Sequence, residues 1–154
     1  MPLVCSLDGD PRSFVQVLAV EVDDICILLL GLNKDFGIKT GMAIGPPNCA
    51  NDVFNFNYEH YIGNFGILGK RIANYAIQKA DLLLILGTRL SIPNTGYATE
   101  LFSPNSVKIM VNIDKNEMAK SSLDIDLAIQ ADLKLWLSNF EYSQLENNSA
   151  FSEW

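Results

Sequence analysis

The chain has 154 residues, of which 49% are hydrophobic, and a formal net charge of −7 at pH 7. This length and this share of apolar side chains suit one globular domain with a single core. Nucleic acids and anionic membranes both select clustered Lys and Arg, so the acidic balance excludes them as partners. Residues 25–32 are apolar but too few to cross a bilayer, and the N-terminus lacks a signal-peptide pattern. We therefore expect a cytoplasmic protein, whose three widely spaced cysteines are free thiols.

The first 47 residues do not fit the pattern of the rest of the chain. Apolar runs at residues 3–7 and 25–30 are separated by polar segments. This pattern predicts an ordinary β-loop-β segment that packs beside the main sheet. The sequence Gly-Pro-Pro-Asn at residues 45–48 is the clearest break in the chain, and we place a boundary there. The main domain is then expected to cover residues 48–140.

A glycine-spaced turn precedes an amphipathic segment. Gly63, Gly66 and Gly69 lie three residues apart. They predict a tight turn whose backbone N–H groups could receive an anion, although such a turn is also a common way to pack a helix against a strand. The following segment predicts a helix with one buried face. Its apolar positions recur at steps of three and four and are Leu68, Ile72, Ala73, Ala76, Ile77 and Ala80.

Two apolar strands follow, and each ends in polar residues. The continuous apolar run at residues 82–86 is typical of a strand covered on both faces, which implies a parallel sheet. Gly87, Thr88 and Arg89 follow it, and the second strand, at residues 108–113, ends at Asp114. The carboxyl ends of parallel strands share one edge, so the two loops are expected to converge where open α/β sheets bind ligands. Arg89 could hold a phosphate or pair with an acid at an interface. Asp114 could accept from ribose hydroxyls, but a helix cap is favoured.

The last part of the predicted domain is a short strand and a helix. Residues 127–129 predict a weak third strand, and Asp132 is a plausible N-cap for a helix that reaches Phe140. Residues 141–154 are polar and lack a sustained period, so they predict a linker or a tail. The fold class is therefore α/β, a three-layer Rossmann-like open parallel sheet.

The segment from about residue 51 to residue 140 resembles the central domain of thiamine diphosphate-dependent enzymes, in the acetolactate synthase-like branch. The resemblance rests on ordered pieces: YIGNFGILGKRIANYAIQKADLLLILGTRL, then SIPNTGY, then KIMVNIDKNEM, then IQADLKLWL. The family's pocket-lining segments correspond by position to Gly66, Ile67, Leu68, Gly69, Gly87, Thr88, Arg89, Asn112, Ile113, Asp114 and Asp132. The N-terminal segment is similar to the diphosphate-binding motif of the same family, which makes Asp10 and Asn33 candidate Mg²⁺ ligands.

The resemblance implies one domain of a larger enzyme that decarboxylates 2-oxo acids and joins the product to an acceptor. Such enzymes hold thiamine diphosphate and Mg²⁺ between their other domains, and the central domain of relatives carries FAD, ADP or nothing. We therefore expect no catalytic residue in this chain, no activity by the chain alone, and partners that are other domains or subunits of a homo-oligomer. The alternatives are a stand-alone module that binds ADP, FAD or NAD, and a non-catalytic interaction subunit.

Overall fold

Among the residues that the structure describes, five strands form one sheet, and all of their pairings are parallel. The computed structural model describes residues 16–20, 42–50, 57–59, 61–120 and 123–140. The strands are β1 (Gln16–Val20), β2 (Ala43–Gly45), β3 (Leu82–Leu86), β4 (Val107–Asn112) and β5 (Leu127–Gln130), in the order β2-β1-β3-β4-β5. The prediction of an open parallel α/β sheet is confirmed, including the weak strand near residue 127.

Alternate residues of the central strand enter two separate hydrophobic clusters. Leu84 and Leu86 pack in one cluster with Leu133 and Leu137, whereas Leu83 lies in the other with residues of the first helix. Successive side chains of a strand point to opposite faces, so β3 is covered on both sides. This arrangement is the predicted three-layer architecture, and it explains why the strand sequence is apolar throughout.

In the described part of the chain, four short α-helices connect or flank the strands. They are α1 (Arg71–Lys79), α2 (Ile92–Thr95), α3 (Lys115–Met118) and α4 (Leu133–Ser138). Two 3-10 turns lie at Asn48–Ala50 and Thr99–Leu101. Within the described residues, no helix has the length and apolar character needed to cross a membrane.

The buried face of α1 agrees with the predicted face at four positions and differs at two. Ala73, Ala76, Ile77 and Ala80 are buried, but the side chains of Ile72 and Leu68 are 65% and 85% exposed. Ile72 is rotated by about 100° from Ala73 on the helix, which turns it away from the sheet. Leu68 precedes the helix, because the glycine turn extends to Gly69 and α1 begins at Arg71.

The N-terminal region contributes a strand that the sequence did not predict. Strand β1 pairs with β3 from Gln16↔Leu82 to Val20↔Leu86, in the middle of the sheet. No glycine or proline directly borders this run, so the sequence lacks the punctuation that marks strand ends. The predicted segments at residues 3–7 and 25–30 and the predicted tail at residues 141–154 lie outside the described residues. The division of the chain near residue 47 stays a prediction, although β1 and β2 belong to the same sheet as β3.

Candidate functional site

The carboxyl ends of β3 and β4 are joined by buried side chains. Thr88 is completely buried and Asn112 is 6% exposed. The Asn112 Nδ2 donates to the Thr88 carbonyl at 3.2 Å, and the Asn112 Oδ1 accepts from the Asp114 N–H at 2.9 Å. The Thr88 Oγ1 accepts from the Leu90 N–H at 3.1 Å. The predicted convergence of these two loops is therefore confirmed, and Asn112 is the residue that holds them together.

Gly87 provides the sharp exit from β3 into this edge. Its φ is +68°, in the left-handed region that favours glycine, and its N–H donates to the Val111 carbonyl at 2.9 Å. The turn leads directly into Thr88, whose side chain is buried, and then Arg89, whose side chain is exposed. Arg89 is thus the cationic side chain that the loop presents at this edge.

The glycine turn is held by internal hydrogen bonds. The Gly66 N–H donates to the Asn74 Oδ1 at 2.8 Å, and the Asn74 Nδ2 donates back to the Gly66 carbonyl at 2.9 Å. The Ile67 N–H donates to the Pro93 carbonyl at 2.8 Å, and the Gly69 N–H donates to the Gly66 carbonyl at 2.9 Å. A diphosphate placed at this turn would find these three N–H groups already bonded. A phosphate bound at this turn would therefore have to displace these internal hydrogen bonds.

Close packing explains two of the three spaced glycines. A Cβ atom on Gly66, whose φ is +102°, would lie 2.5 Å from the Pro93 carbonyl oxygen. A Cβ atom on Gly69 would lie 2.5 Å from the Phe65 carbonyl carbon. Distances below 3.0 Å are not tolerated without movement of the backbone, so both positions require glycine. The alternative in which the turn serves packing has direct structural support.

The two acidic residues of the predicted cofactor-binding set, Asp114 and Asp132, are helix caps. The Asp114 Oδ1 accepts from the Asn116 N–H at 2.8 Å at the start of α3. The Asp132 Oδ1 accepts from the Leu135 N–H at 3.0 Å at the start of α4. Both predictions of a cap are confirmed. For Asp114, that structural partner is the Asn116 N–H.

The remaining predicted residues are exposed or lie outside the described part of the chain. Leu68 and Ile113 have side chains that are 85% and 67% exposed. The candidate metal ligands Asp10 and Asn33 are not among the described residues. Within the described ranges, no group of three or more His, Cys, Asp or Glu residues could hold a metal ion.

A cleft runs along the flank of α1, between the helix and the segment that follows β3. It encloses about 250 Å³, and Ile77 and Phe102 are its buried apolar members. The full lining is Gly66, Ile67, Asn74, Ile77, Gln78, Asn94, Thr95, Gly96 and Phe102. Sequence reasoning missed Asn74, Pro93 and Asn94, because their roles depend on how the glycine turn, α1 and the segment after β3 pack together. The one available signal was a polar residue, Asn74, next to the buried positions of an amphipathic helix.

Two tyrosines lie beside the amino-terminal part of the domain. The Tyr58 hydroxyl donates to the Met42 carbonyl at 3.5 Å, and burial, with a smaller effect of the Glu59 carboxylate, raises the pKa of Tyr58 to about 12. The Tyr61 hydroxyl donates to the Asn64 Oδ1 at 2.9 Å, and burial raises the pKa of Tyr61. Both phenols are therefore neutral at physiological pH and serve as hydrogen-bond donors in the packing of this region.

Comparison with known proteins decides the family. Residues 34–140 match the family model described as "Thiamine pyrophosphate enzyme, central domain". The chain belongs to this family. The sequence of this central domain is similar to acetolactate synthase isozyme 1 large subunit of Escherichia coli, with 43% identity over 72 residues, 47% of this chain and 12% of that protein. It is also similar to the probable acetolactate synthase large subunit of Methanococcus aeolicus, with 30% identity over 115 residues, 72% of this chain and 19% of that protein.

A solved structure shows the same fold. The central domain superimposes on a putative thiamin diphosphate-dependent enzyme from Mycobacterium smegmatis with a TM-score of 0.65 and 14% identity, over 88% of this chain and 25% of that chain. At this identity the likeness concerns the fold alone. The matched region is between 12% and 19% of the length of the acetolactate synthases with which it is compared.

Proposed function

We propose that this chain acts as the scaffold domain of an acetolactate synthase-like enzyme that decarboxylates a 2-oxo acid and transfers the product to an acceptor. Thiamine diphosphate would supply the carbanion chemistry, with the cofactor held by other domains. The chain alone is then expected to be inactive. One observation carries the proposal for this member of the family. The polar groups of the loops at the sheet edge form hydrogen bonds with other parts of the same chain.

The loop contacts support a structural role. The Gly66 turn is bonded to Asn74 and Pro93, and the Thr88 loop is bonded to Asn112. A catalytic constellation requires side chains that can exchange protons with, or attack, a substrate. Asp114 and Asp132, the acidic residues of the predicted cofactor-binding set, accept hydrogen bonds from backbone N–H groups at helix starts. These side chains cap helices, so the reaction would take place outside this domain.

The cofactors and partners follow from this proposal. We propose Mg²⁺ as the ion that accompanies thiamine diphosphate, with Asp10 and Asn33 of the N-terminal segment as its ligands. The partners would be other domains or subunits within a cytoplasmic oligomer. FAD or ADP in the central domain is a weaker proposal, because the N–H groups of Gly66, Ile67 and Gly69 are already bonded. For the same reason, the alternative of a stand-alone nucleotide-binding module is not favoured.

The test compares catalysis and ligand binding in the purified chain. We expect no loss of pyruvate in the presence of thiamine diphosphate and Mg²⁺, under conditions in which an acetolactate synthase consumes it. We also expect no rise in melting temperature with micromolar thiamine diphosphate, FAD, ADP or NAD, since a ligand that binds only the folded state raises it by mass action. Turnover of pyruvate would refute the scaffold role. A rise with a nucleotide that disappears in Arg89→Ala would instead establish the nucleotide-binding module.

A further inference from the structure

We propose that the outer face of α1 binds a second copy of this chain, which contributes the acidic edge of its sheet. The basic face of α1 consists of the exposed side chains Lys70, Arg71, Ile72, Tyr75 and Lys79. The acidic edge consists of the exposed side chains around β5, Asp124, Asp126, Leu127 and Asp132. The inference gives the oligomer proposed above a specific contact, and it rests on that part of the proposed function.

The basic face concentrates positive charge in an acidic chain. Residues 61–80 contain three cations and no Asp or Glu, although the whole chain has 18 acidic residues against 11 Lys and Arg. Within the described residues, none of these three cations forms an ion pair. Arg71, Tyr75 and Lys79 are four residues apart and form one row along the helix. The row therefore carries charge that this copy of the chain does not compensate.

The position of two of these cations on the helix is locally unfavourable. Lys70 is the N-cap of α1 and Arg71 is its first residue, and the first turn contains no acidic residue. The helix macrodipole is positive at this end, so it repels both side chains. An anionic surface that covers the basic face would offset this repulsion as well as the charge of the row.

Two apolar side chains lie among the cations. Ile72 and Tyr75 are each 65% exposed, although the outer face of an amphipathic helix is normally polar. The Lys79 ammonium lies 5.9 Å from the centroid of the Tyr75 ring. Apolar groups surrounded by charged ones are typical of a protein interface. A small anion would leave both apolar side chains in water, whereas a polypeptide surface would cover them.

The acidic edge has the complementary charge. Residues 123–133 contain three Asp and no Lys or Arg. The Asp126 Oδ2 accepts from the Lys108 N–H at 2.8 Å, and the Asp132 Oδ1 accepts from the Leu135 N–H at 3.0 Å. Two of the three carboxylates are thus held in place before a partner arrives, which lowers the entropic cost of binding.

The acidic edge also lies on a strand that lacks a neighbour on one side. Among the described strands, β5 is the last in the sheet order, and three of its four residues are exposed. Leu127 is 38% exposed and offers an apolar contact for Ile72 or Tyr75. Proteins commonly cover an edge strand with a helix. We assign this covering role to α1 of another copy.

Charge determines which surfaces meet. Two basic faces would oppose cations with cations, and two acidic edges would oppose acids with acids, so the contact joins unlike surfaces. Each copy has a formal net charge of −7 at pH 7, but exposed charges further apart than about 8 Å are largely screened at physiological ionic strength. The charges at the contact therefore outweigh the net charges of the two copies.

The experiment is sedimentation velocity on the full 154-residue chain at physiological ionic strength, from micromolar to millimolar protein. We expect the average mass to rise with concentration above the 17.1 kDa of one chain. Lys79→Glu on the basic face and Asp124→Lys on the acidic edge are each expected to weaken association by about two- to thirtyfold, because reversal replaces an attraction with a repulsion of similar size. Circular dichroism checks that both variants are folded.

A mixture and a control variant test the pairing of the two surfaces. An equimolar mixture of the Lys79→Glu and Asp124→Lys proteins should associate more strongly than either variant alone. The unchanged basic face of one variant then meets the unchanged acidic edge of the other. Lys115→Glu makes the same change of charge at an exposed position on α3, outside both surfaces, and should leave association unchanged.

Three results would overturn the proposal. They are a mass of 17.1 kDa at all concentrations, equal effects of Lys79→Glu and Lys115→Glu, and a mixture that associates no better than its components. Failure here would leave the scaffold role standing, since that role is tested by turnover of pyruvate. Turnover of pyruvate would refute the scaffold role and leave this contact standing.

Discussion

Replacement of Gly66 by alanine tests whether the glycine turn is a packing element. The added Cβ would lie 2.5 Å from the Pro93 carbonyl oxygen, at a φ of +102°. A strained backbone of this kind costs about 1–3 kcal/mol. Movement of the Pro93 carbonyl would also weaken the hydrogen bond from the Ile67 N–H, worth about 1 kcal/mol. We therefore expect Gly66→Ala to lower the free energy of unfolding by about 2–4 kcal/mol.

The matched control is Gly96→Ala. Gly96 also has a positive φ, +82°, but a Cβ atom there would meet nothing within 4 Å. This variant isolates backbone strain, and Gly66→Ala is expected to cost about 1–2 kcal/mol more. Urea unfolding followed by far-UV circular dichroism gives both values from the midpoint and the slope. Equal losses in the two variants would show that the contact with Pro93 can relax, and the packing explanation would be wrong.

Two further predictions concern a cap and a phenol. Asp132→Ala removes the acceptor of the Leu135 N–H and should lower the free energy of unfolding by about 1 kcal/mol. Asp132→Asn keeps an acceptor and should lower it less. Equal losses of the two variants in urea unfolding would contradict a capping role. Because burial raises the pKa of Tyr58 to about 12 from 10.0, the folded state resists its ionisation, so stability should fall as pH rises from 10 towards 12. Tyr58→Phe should reduce this loss of stability, whereas Tyr97→Phe, at an exposed side chain, should not. Urea midpoints measured between pH 10 and pH 12 give the comparison. An unchanged loss in Tyr58→Phe would show that ionisation of Tyr58 is not its cause.

The parts of the fold that depend on local pattern were predictable. An unbroken apolar run identified β3 because both faces of the strand are covered, and Asp132 was identifiable as a cap because it immediately precedes a helix. Strand β1 was not predicted, since no glycine or proline directly borders it. The outward direction of Ile72 was also missed, because helical spacing alone does not fix which edge of an apolar stripe meets the sheet.

The location of the candidate site could be predicted from the sequence, but its hydrogen bonds could not. The order of strands and loops predicted that Thr88 and Asn112 would share one edge, and they do. The sequence offered no way to see that Pro93 accepts from Ile67, 26 positions earlier, or that Asn74 binds both polar groups of Gly66. Such pairs form only when the glycine turn packs against α1 and against the segment after β3, and they determine which N–H groups remain for a ligand.

These hydrogen bonds set the energetic condition for any nucleotide at this domain. A phosphate bound to the glycine turn would displace the bonds donated by Gly66, Ile67 and Gly69, each worth about 0.5–1.5 kcal/mol net. Their sum, roughly 2–4 kcal/mol, would weaken binding by about 30- to 1,000-fold relative to a turn with unbonded N–H groups. A phosphate near the exposed Arg89 would displace none of these three bonds. If a nucleotide does bind, we therefore expect Arg89→Ala to reduce its affinity and Gly66→Ala to affect it only through folding.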